Sequence, residues 1–316
     1  MRSFAIIEGI KDGGTVLRRI LLLMFACFMS MSAQAVEYDR PDSSTKLIGT
    51  MEYYQVNKGD SLLDIANRYD VGLLLLMASN PGVDPFLPTP GSLLKIPMQL
   101  ILPDVKREGI VINLAELRLY YFPSNSDKMY VFPIGIGRVG RETPKMTTSI
   151  SQMIKNPTWT PTANIRREYR EKHNVILPAV VPAGPENPLG DYAMRLSHGS
   201  GQYLIHGTNK DFGIGMRVSS GCIRMNPWDV EWLFHQVSRG TKVRIINQPV
   251  KQAIEADGSV YVEVHEPLSR DEDQMGEHKR VSAPDQLLAE VAGDVRARQL
   301  LDEALMNQVG LPVQLR

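Results

Sequence analysis

Cysteine is scarce in this sequence, whose 316 residues include only Cys27 and Cys222. So few cysteines exclude a disulfide framework of the kind that stabilises small secreted proteins. Long hydrophobic runs are also missing, because the apolar run at residues 20–29 is shorter than the roughly 20 residues that span a bilayer. The sequence therefore predicts no membrane-spanning helix.

The short apolar run has flanks typical of an exported protein. Arg18 and Arg19 precede it, and Ala33-Gln34-Ala35 follows it as an A-x-A cleavage site. A basic region, a short apolar region and small residues at this spacing predict a cleaved secretory signal peptide at residues 1–35.

Cys27 lies inside this predicted signal peptide, so Cys222 is the lone thiol of the exported chain. Lipoprotein-type cleavage at Cys27 is the alternative, and Phe25 argues against it because it stands where a small residue is required. A single cysteine in an exported chain is a buried structural thiol, half of an intermolecular disulfide, or a reactive group. Counting alone leaves these three interpretations open.

An excess of charge of either sign is absent too. Without residues 1–35, the chain carries 31 basic and 33 acidic side chains, a net charge of −2. This balance provides no basic stripe for nucleic acid and no polybasic patch for an anionic membrane surface. The roughly 280 remaining residues predict two domains or more.

Residues 51–97 have the pattern of a small βααβ unit. A strand over 52–56 leads through a turn to a helix over 61–69, which Asp60 is placed to cap, and a second helix and a strand follow. The segments YQVNKGDSLLDIANRYDV, ASNPGVD and LKIP resemble the LysM module, and the resemblance implies binding to glycan strands of the N-acetylglucosamine type. The four leucines at 73–76 are unusually apolar for that family, so we expect them to pack on another domain. Whether the unit binds glycan or covers an active site stays open.

Residues 105–250 contain many short strands separated by glycine- and proline-rich segments, which favours a β-sandwich or closed sheet. Asn226-Pro227 predicts the start of a single helix that ends before Gly240. Residues 251–316 are predicted to be an extension with one strand at 260–264 and two helices divided near Gly293. The charged run 270–280 is predicted to be a solvated connector.

Three features near Cys222 supply what cysteine-based acyl transfer requires: a thiolate, a base and donors for an oxyanion. His206 ends an apolar strand, and Gly221 allows a tight turn that aims the amides of Gly221 and Cys222 at one point. A zinc site needs further closely spaced ligands, which neither His198 nor His235 has. No metal and no cofactor are therefore expected.

The same residues carry a family resemblance. HGTN (206–209) followed by SSGCIRM (219–225) resembles the signature of the L,D-transpeptidase catalytic domain, the YkuD type. PIGIGRVGRETP (133–144) and NPTWTPT (156–162) extend the resemblance to about residues 105–250. With a LysM-like unit and a signal peptide, the chain is similar to the ErfK/YbiS-like group of the Gram-negative periplasm.

The resemblance implies a role for each matching residue. Cys222 corresponds to the nucleophile, His206 to its base, and Gly207 to the residue whose carbonyl orients the histidine. Ser219 and Gly221 correspond to the residues that shape the catalytic loop and the oxyanion site.

Tyr203, Ser220 and Arg224 are assigned to substrate binding. Many family members have a histidine where this chain has Ser220, a variant that the periplasmic group tolerates. For Arg224, contact with a substrate carboxylate and an ordinary salt bridge remain alternatives.

The implied reaction is acyl transfer from a peptidoglycan tetrapeptide, with attack on the meso-diaminopimelate carbonyl and release of D-alanine. The expected acceptor is the C-terminal lysine of the murein lipoprotein, and a 3→3 cross-link to another stem peptide is the alternative. Carbapenem β-lactams are the expected inhibitors. Two other functions compete: a non-catalytic peptidoglycan-binding protein, and a cysteine peptidase that trims D-alanine.

Overall fold

The computed structural model describes residues 35–210, 212–269 and 279–316. The predicted signal peptide, apart from its last residue, lies outside the described residues, as does most of the predicted connector at 270–280. Within the described ranges, no helix is both long enough and apolar enough to cross a membrane.

The N-terminal part contains the predicted βααβ unit. Strands β1 (Val36–Asp39) and β2 (Leu47–Ile48) precede it, and the unit itself consists of β3 (Glu52–Gln55), α1 (Leu62–Arg68), α2 (Leu73–Ser79) and β4 (Leu93–Ile96). Strands β3 and β4 pair in an antiparallel ladder, and both helices bury apolar side chains against them. The expected βααβ order is confirmed.

The cap of α1 differs from the sequence prediction. Ser61, and not Asp60, is the N-cap: its hydroxyl accepts a hydrogen bond from the Asp64 amide, while the Asp64 carboxylate accepts one from the Ser61 amide. Asp60 instead accepts hydrogen bonds from the Asn57 amide and the Tyr54 hydroxyl. The capping box satisfies two donors that the first helical turn leaves open.

The central part is mainly β, as expected. Its elements are β5 (Leu100–Ile101), β6 (Gly109–Asn113), a 3₁₀ turn (Leu114–Glu116), β7 (Arg118–Phe122), β8 (Lys128–Pro133), β9 (Ile136–Gly137), β10 (Met146–Lys155), α3 (Ala163–His173), β11 (Tyr192–Leu196), β12 (Leu204–His206), β13 (Arg217–Ser219), β14 (Ile223–Arg224), α4 (Pro227–Gln236) and β15 (Lys242–Ile246). Nine strands form one sheet in the order β1-β8-β7-β6-β15-β10-β11-β12-β14, and β9 pairs with β13.

This sheet is curled, so its last strand approaches strands from the other side. Gly135, just after β8, and Arg224 of β14 exchange two backbone hydrogen bonds of 2.8 Å. The inner face buries one continuous apolar core that α4 covers with Val230 and Leu233. Curling therefore gives the core two opposed walls from a single sheet.

The C-terminal part has more strand than the sequence suggested. Antiparallel strands β16 (Val250–Ile254), β17 (Val260–His265) and β18 (Val309–Gln314) form a sheet, and α5 (Asp285–Glu290) and α6 (Val295–Asn307) pack on it. Leu287 and Leu301 are fully buried in the shared core. The two helices match the expectation, whereas β16 and β18 were not predicted.

Helix α2 rests on both neighbouring parts. The Leu75 side chain packs where Gly310 of β18 leaves room, and the Ser79 hydroxyl lies 3.1 Å from the Val309 carbonyl oxygen, to which it donates. At the start of α2, Gly72 lies against Gly215 of the central part. Part of the apolar leucine run thus packs outside its own unit, as expected, and fixes the unit in place.

Candidate active site

The register of two neighbouring strands brings Cys222 and His206 together. In the parallel pair β12 and β14, Ile205 lies opposite Ile223 and His206 lies opposite Arg224. Ile205 and Ile223 point into the core, and side chains alternate along a strand. His206, Cys222 and Arg224 therefore belong to the other face, although His206 and Cys222 are 16 residues apart in sequence.

The imidazole of His206 is buried and oriented by one strong hydrogen bond. Nδ1 lies 2.6 Å from the Gly207 carbonyl oxygen. Because a carbonyl only accepts, Nδ1 carries the hydrogen of the neutral ring. The Leu189 backbone makes a further hydrogen-bond contact with the ring. Burial, aided by the positive charge of Arg224, lowers the pKa of His206 to about 4. The ring is thus neutral at pH 7 and able to accept a proton.

Cys222 lies immediately before β14 on this face of the sheet and is half-buried. Its Sγ lies 3.6 Å from the Gln202 carbonyl oxygen, to which the thiol donates. Burial raises the thiol pKa, and the charges of Arg224 and Arg195 oppose this only in part. In the described part of the chain, no hydrogen bond joins Sγ to the imidazole. The resting thiol is therefore protonated, and a base must remove its proton before attack.

A compact turn, which we call the catalytic turn, comprises Ser219, Ser220 and Gly221 just before Cys222, the candidate nucleophile. The Ser219 hydroxyl donates to the Cys222 carbonyl at 2.5 Å and accepts from the Gly221 amide at 3.2 Å. Gly221 has φ +105°, in the left-handed region that favours glycine. The Gly221 amide, expected to face an oxyanion, thus has an internal partner in this structure.

Thr143 was not singled out in the sequence, yet it braces the same turn. Its buried hydroxyl donates to the Gly221 carbonyl at 3.0 Å and accepts from the Gly137 amide at 2.9 Å. Thr143 lies inside the PIGIGRVGRETP segment that carried part of the family resemblance, so the segment was recognised but this role was not. One hydroxyl therefore ties the end of β9 to the catalytic turn.

Arg224 is a half-buried cation on the same face as Cys222 and His206. Among the described residues, its buried Nε has no hydrogen-bond partner, and no carboxylate lies within ion-pair distance of the guanidinium. Burial lowers the pKa of its guanidinium. The ordinary salt bridge considered for Arg224 is thus not found among the described residues.

The other two predicted substrate-binding residues flank the turn. Ser220 is exposed, and the half-buried Tyr203 ring would lie 3.3 Å from a Cβ placed on Gly221. Tyr203 also contacts the His198 ring, with the centroids 5.7 Å apart. Both residues border Cys222 without any hydrogen bond to its side chain.

Helix α3, which the sequence analysis did not predict, lies near this face. It has no buried residue, and the Thr162 hydroxyl caps it by accepting from the Ile165 amide. Glu168 holds it in place, because both Arg138 and Arg141 pair with its carboxylate. Tyr169 of this helix lies close enough to Arg224 to interact with it.

One group of described residues has the spacing of metal ligands, away from Cys222. Oxygen or nitrogen atoms of Glu116, Glu263 and His265 lie within 4.8 Å of one another. However, the Lys251 ammonium lies 2.7 Å from Glu116 and 3.0 Å from Glu263, and Arg118 pairs with both carboxylates. These two cations already neutralise the two acids, so the group is a buried ion-pair cluster.

Comparison with known families agrees with this division of the chain. Residues 107–245 match the family described as the L,D-transpeptidase catalytic domain, YkuD. Residues 249–315 match the L,D-transpeptidase C-terminal domain, and residues 54–97 match the LysM domain.

Curated relatives align over most of their length. The probable L,D-transpeptidase YcfS of Escherichia coli K12 is 53% identical over 77% of this chain and 77% of its own. ErfK/SrfK of Salmonella typhimurium is 45% identical over 92% of this chain and 94% of its own, and YbiS of Escherichia coli K12 is 46% identical over 90% and 93%. Identity at this level and coverage shows that the chain belongs to the L,D-transpeptidase family and is an L,D-transpeptidase enzyme.

Proposed function

We propose that Cys222 is the nucleophile and His206 the base of a periplasmic acyl transfer between peptidoglycan stem peptides and an amine. The observation that carries the proposal is the placement of both residues on one face of neighbouring strands, with a neutral imidazole whose Nδ1–H is oriented by the Gly207 carbonyl. A half-buried thiol beside such a base is the arrangement that nucleophilic catalysis requires.

The reaction proceeds in two steps. His206 Nε2 takes the thiol proton, Sγ attacks the meso-diaminopimelate carbonyl, and the amide bond to D-alanine breaks as the leaving amine takes that proton. The acceptor amine then attacks the thioester, gives a proton to His206, and the C–S bond breaks as the thiolate takes the proton back. Neither step requires a metal or another cofactor.

Arg224 binds the terminal carboxylate of the donor peptide. A half-buried guanidinium whose buried Nε has no partner among the described residues, two residues beyond Cys222 on the same face, supports this role. A charge-assisted hydrogen bond there would orient the bond to D-alanine and select tetrapeptides over shorter stems. Tyr203 and Ser220 border the substrate on the other side of the turn.

The acceptor is the lysine of the murein lipoprotein. The overall arrangement of LysM unit, catalytic domain and C-terminal domain supports this choice. Purified enzyme would be given tetrapeptide muropeptides with either a lysine-ended lipoprotein peptide or a second stem peptide. A product formed only with the stem peptide would favour the 3→3 cross-link instead.

The LysM unit binds glycan and does not cover the site. Its contacts with other parts include Asp70, Gly72, Leu75 and Ser79, all in or just before α2, whereas Phe86 and Leu87 are exposed. Export by the predicted signal peptide would bring this surface to the cell wall.

Thiol labelling tests the catalytic proposal. A carbapenem should add its mass to Cys222 in the wild type, and the adduct should form far more slowly in His206→Ala. Absence of any adduct in a folded wild type would favour a non-catalytic wall-binding protein. Release of D-alanine without transfer, even with amines present, would favour the peptidase.

A further inference from the structure

A recess of about 270 Å³ lies between α3 and the segment that follows β9. Six charged side chains line it: Arg138, Arg141, Arg167, Glu168, Glu171 and Lys172. Four of them are basic and two are acidic, so the walls of this α3 recess have a net charge of +2. This sign contrasts with the balanced charge of the chain as a whole.

The acidic side chains do not neutralise the recess. Glu168 is shared by three of the cations: Arg138 pairs with both of its oxygens, and Arg141 and Lys172 lie 3.4 and 3.7 Å away. Arg167 has no carboxylate of the described residues within 4 Å, and its one side-chain hydrogen bond goes to the Asn164 amide oxygen. Against Glu168 and Glu171, the other three cations of the recess retain one net positive charge. Together with the charge of Arg167, this net charge is available to bind an anion.

The recess borders the catalytic turn. The Arg138 amide donates to the Ser219 carbonyl at 3.0 Å. A Cβ placed on Gly221 would lie 3.6 Å from the Arg141 carbonyl oxygen and 3.5 Å from that of Glu142. The segment that forms one wall of the recess thus packs directly on the residues that precede Cys222.

We infer that the α3 recess binds a carboxylate of the donor stem peptide other than the terminal one, an inference that rests on the proposed function. Diaminopimelate has two carboxyl groups, and one stays free when the other is the carbonyl under attack. An extended residue spans about 3.5 Å, so a carboxylate one or two residues from that carbonyl can reach a recess beside the same turn. The acceptor enters where D-alanine leaves, near Arg224, whereas the retained part of the donor needs a site beside the turn.

The test measures thioester formation on Cys222 by mass spectrometry with no acceptor present. Two donors are compared: a tetrapeptide ending in meso-diaminopimelate–D-alanine, and the same peptide with all carboxyl groups except the terminal one converted to carboxamides. In Arg167→Gln, the donor concentration for half-maximal acylation should rise about tenfold for the acidic peptide and stay within twofold of wild type for the amide.

Arg170→Gln is the matched control, because Arg170 is an exposed cation of the same helix outside the recess. It should leave both donors unchanged, and alkylation of Cys222 by neutral iodoacetamide should be equal in all three proteins. Equal losses with both donors, or no loss with either, would overturn the recess as a carboxylate site. Failure of wild type to form a thioester with either donor would instead overturn the proposed function.

Discussion

Asp70 of the LysM unit and Asp229 of α4 share a single amide donor. Asn226 Nδ2 donates to Asp70 at 3.1 Å and to Asp229 at 3.0 Å, and all three residues are buried. The other oxygen of each carboxyl group has no donor among the described residues unless one of the two acids is protonated and donates to the other. No cation of the described residues pairs with either group, so the two acids cannot both ionise without cost.

Because of this pair, we expect the free energy of unfolding to fall as the pH rises. Burial raises the pKa of Asp70 to about 7, and burial together with the Asp70 charge raises that of Asp229 well above its usual value. Between about pH 4 and 7 the folded state retains a proton that the unfolded state has lost, so raising the pH favours unfolding. The contribution is present at low pH and is lost as the pH passes through about 7. Thermal unfolding midpoints at pH 5.5 and 8.0 should differ less in Asp70→Asn than in wild type.

Asp84→Asn, which alters an exposed acid of the same unit, provides the control for Asp70→Asn and should retain the wild-type pH dependence. If the difference in thermal unfolding midpoint between pH 5.5 and 8.0 were the same in Asp70→Asn as in wild type, the raised pKa of Asp70 would not contribute to the pH dependence of stability.

The pH dependence of acylation reports on His206. Since burial lowers its pKa to about 4, the imidazole stays neutral above that pH and charges below it, where it can no longer take the thiol proton. The rate of thioester formation should therefore fall as the pH drops through about 4 and not near 6.5. His206→Gln should lower the rate by about 10²- to 10⁴-fold. A decline centred near pH 6.5 in wild type would contradict the buried, neutral ring.

Thr143 should matter for reactivity as well as for stability. Thr143→Val removes the hydroxyl that joins Gly137 and Gly221 and leaves two buried backbone groups unsatisfied, at a cost of about 1–3 kcal/mol each. The catalytic turn loosens, so thioester formation should slow even at temperatures where the variant is folded. Thr143→Ser retains the hydroxyl and should recover most of the rate. Equal rates of thioester formation in Thr143→Val and Thr143→Ser would show that the Thr143 hydroxyl does not affect reactivity.

Lys251 should be essential for the attachment of the C-terminal domain. Lys251→Met leaves Glu116 and Glu263 fully buried with Arg118 and the His265 imidazole as their remaining partners. Removal of one member of a buried ion pair typically costs about 3–5 kcal/mol. Denaturant unfolding should show this loss, and Lys95→Met, on the exposed side of β4, should show little. A loss below about 1 kcal/mol would mean that the cluster relaxes by admitting water.

Local sequence signals predicted the elements that they specify by themselves. Helix α4 begins at Pro227 after Asn226, as expected, because proline at the first helical position needs no partner for its missing N–H. The Asn226 side chain, however, does not cap the helix and instead binds the two aspartates. Helix α3 escaped prediction because it has no apolar stripe: its stability comes from ion pairs between Glu168 and a distant loop.

The sequence by itself determined the family and predicted the order of the three parts and the candidate thiol and imidazole, since short-range patterns and motifs carry that information. Only the tertiary structure decided which groups meet across the chain. Asn226 binds Asp70 from 156 positions away, and Lys251 pairs with Glu116 from 135 positions away. Such contacts depend on the register of the curled sheet and on the docking of whole domains, which no local periodicity specifies.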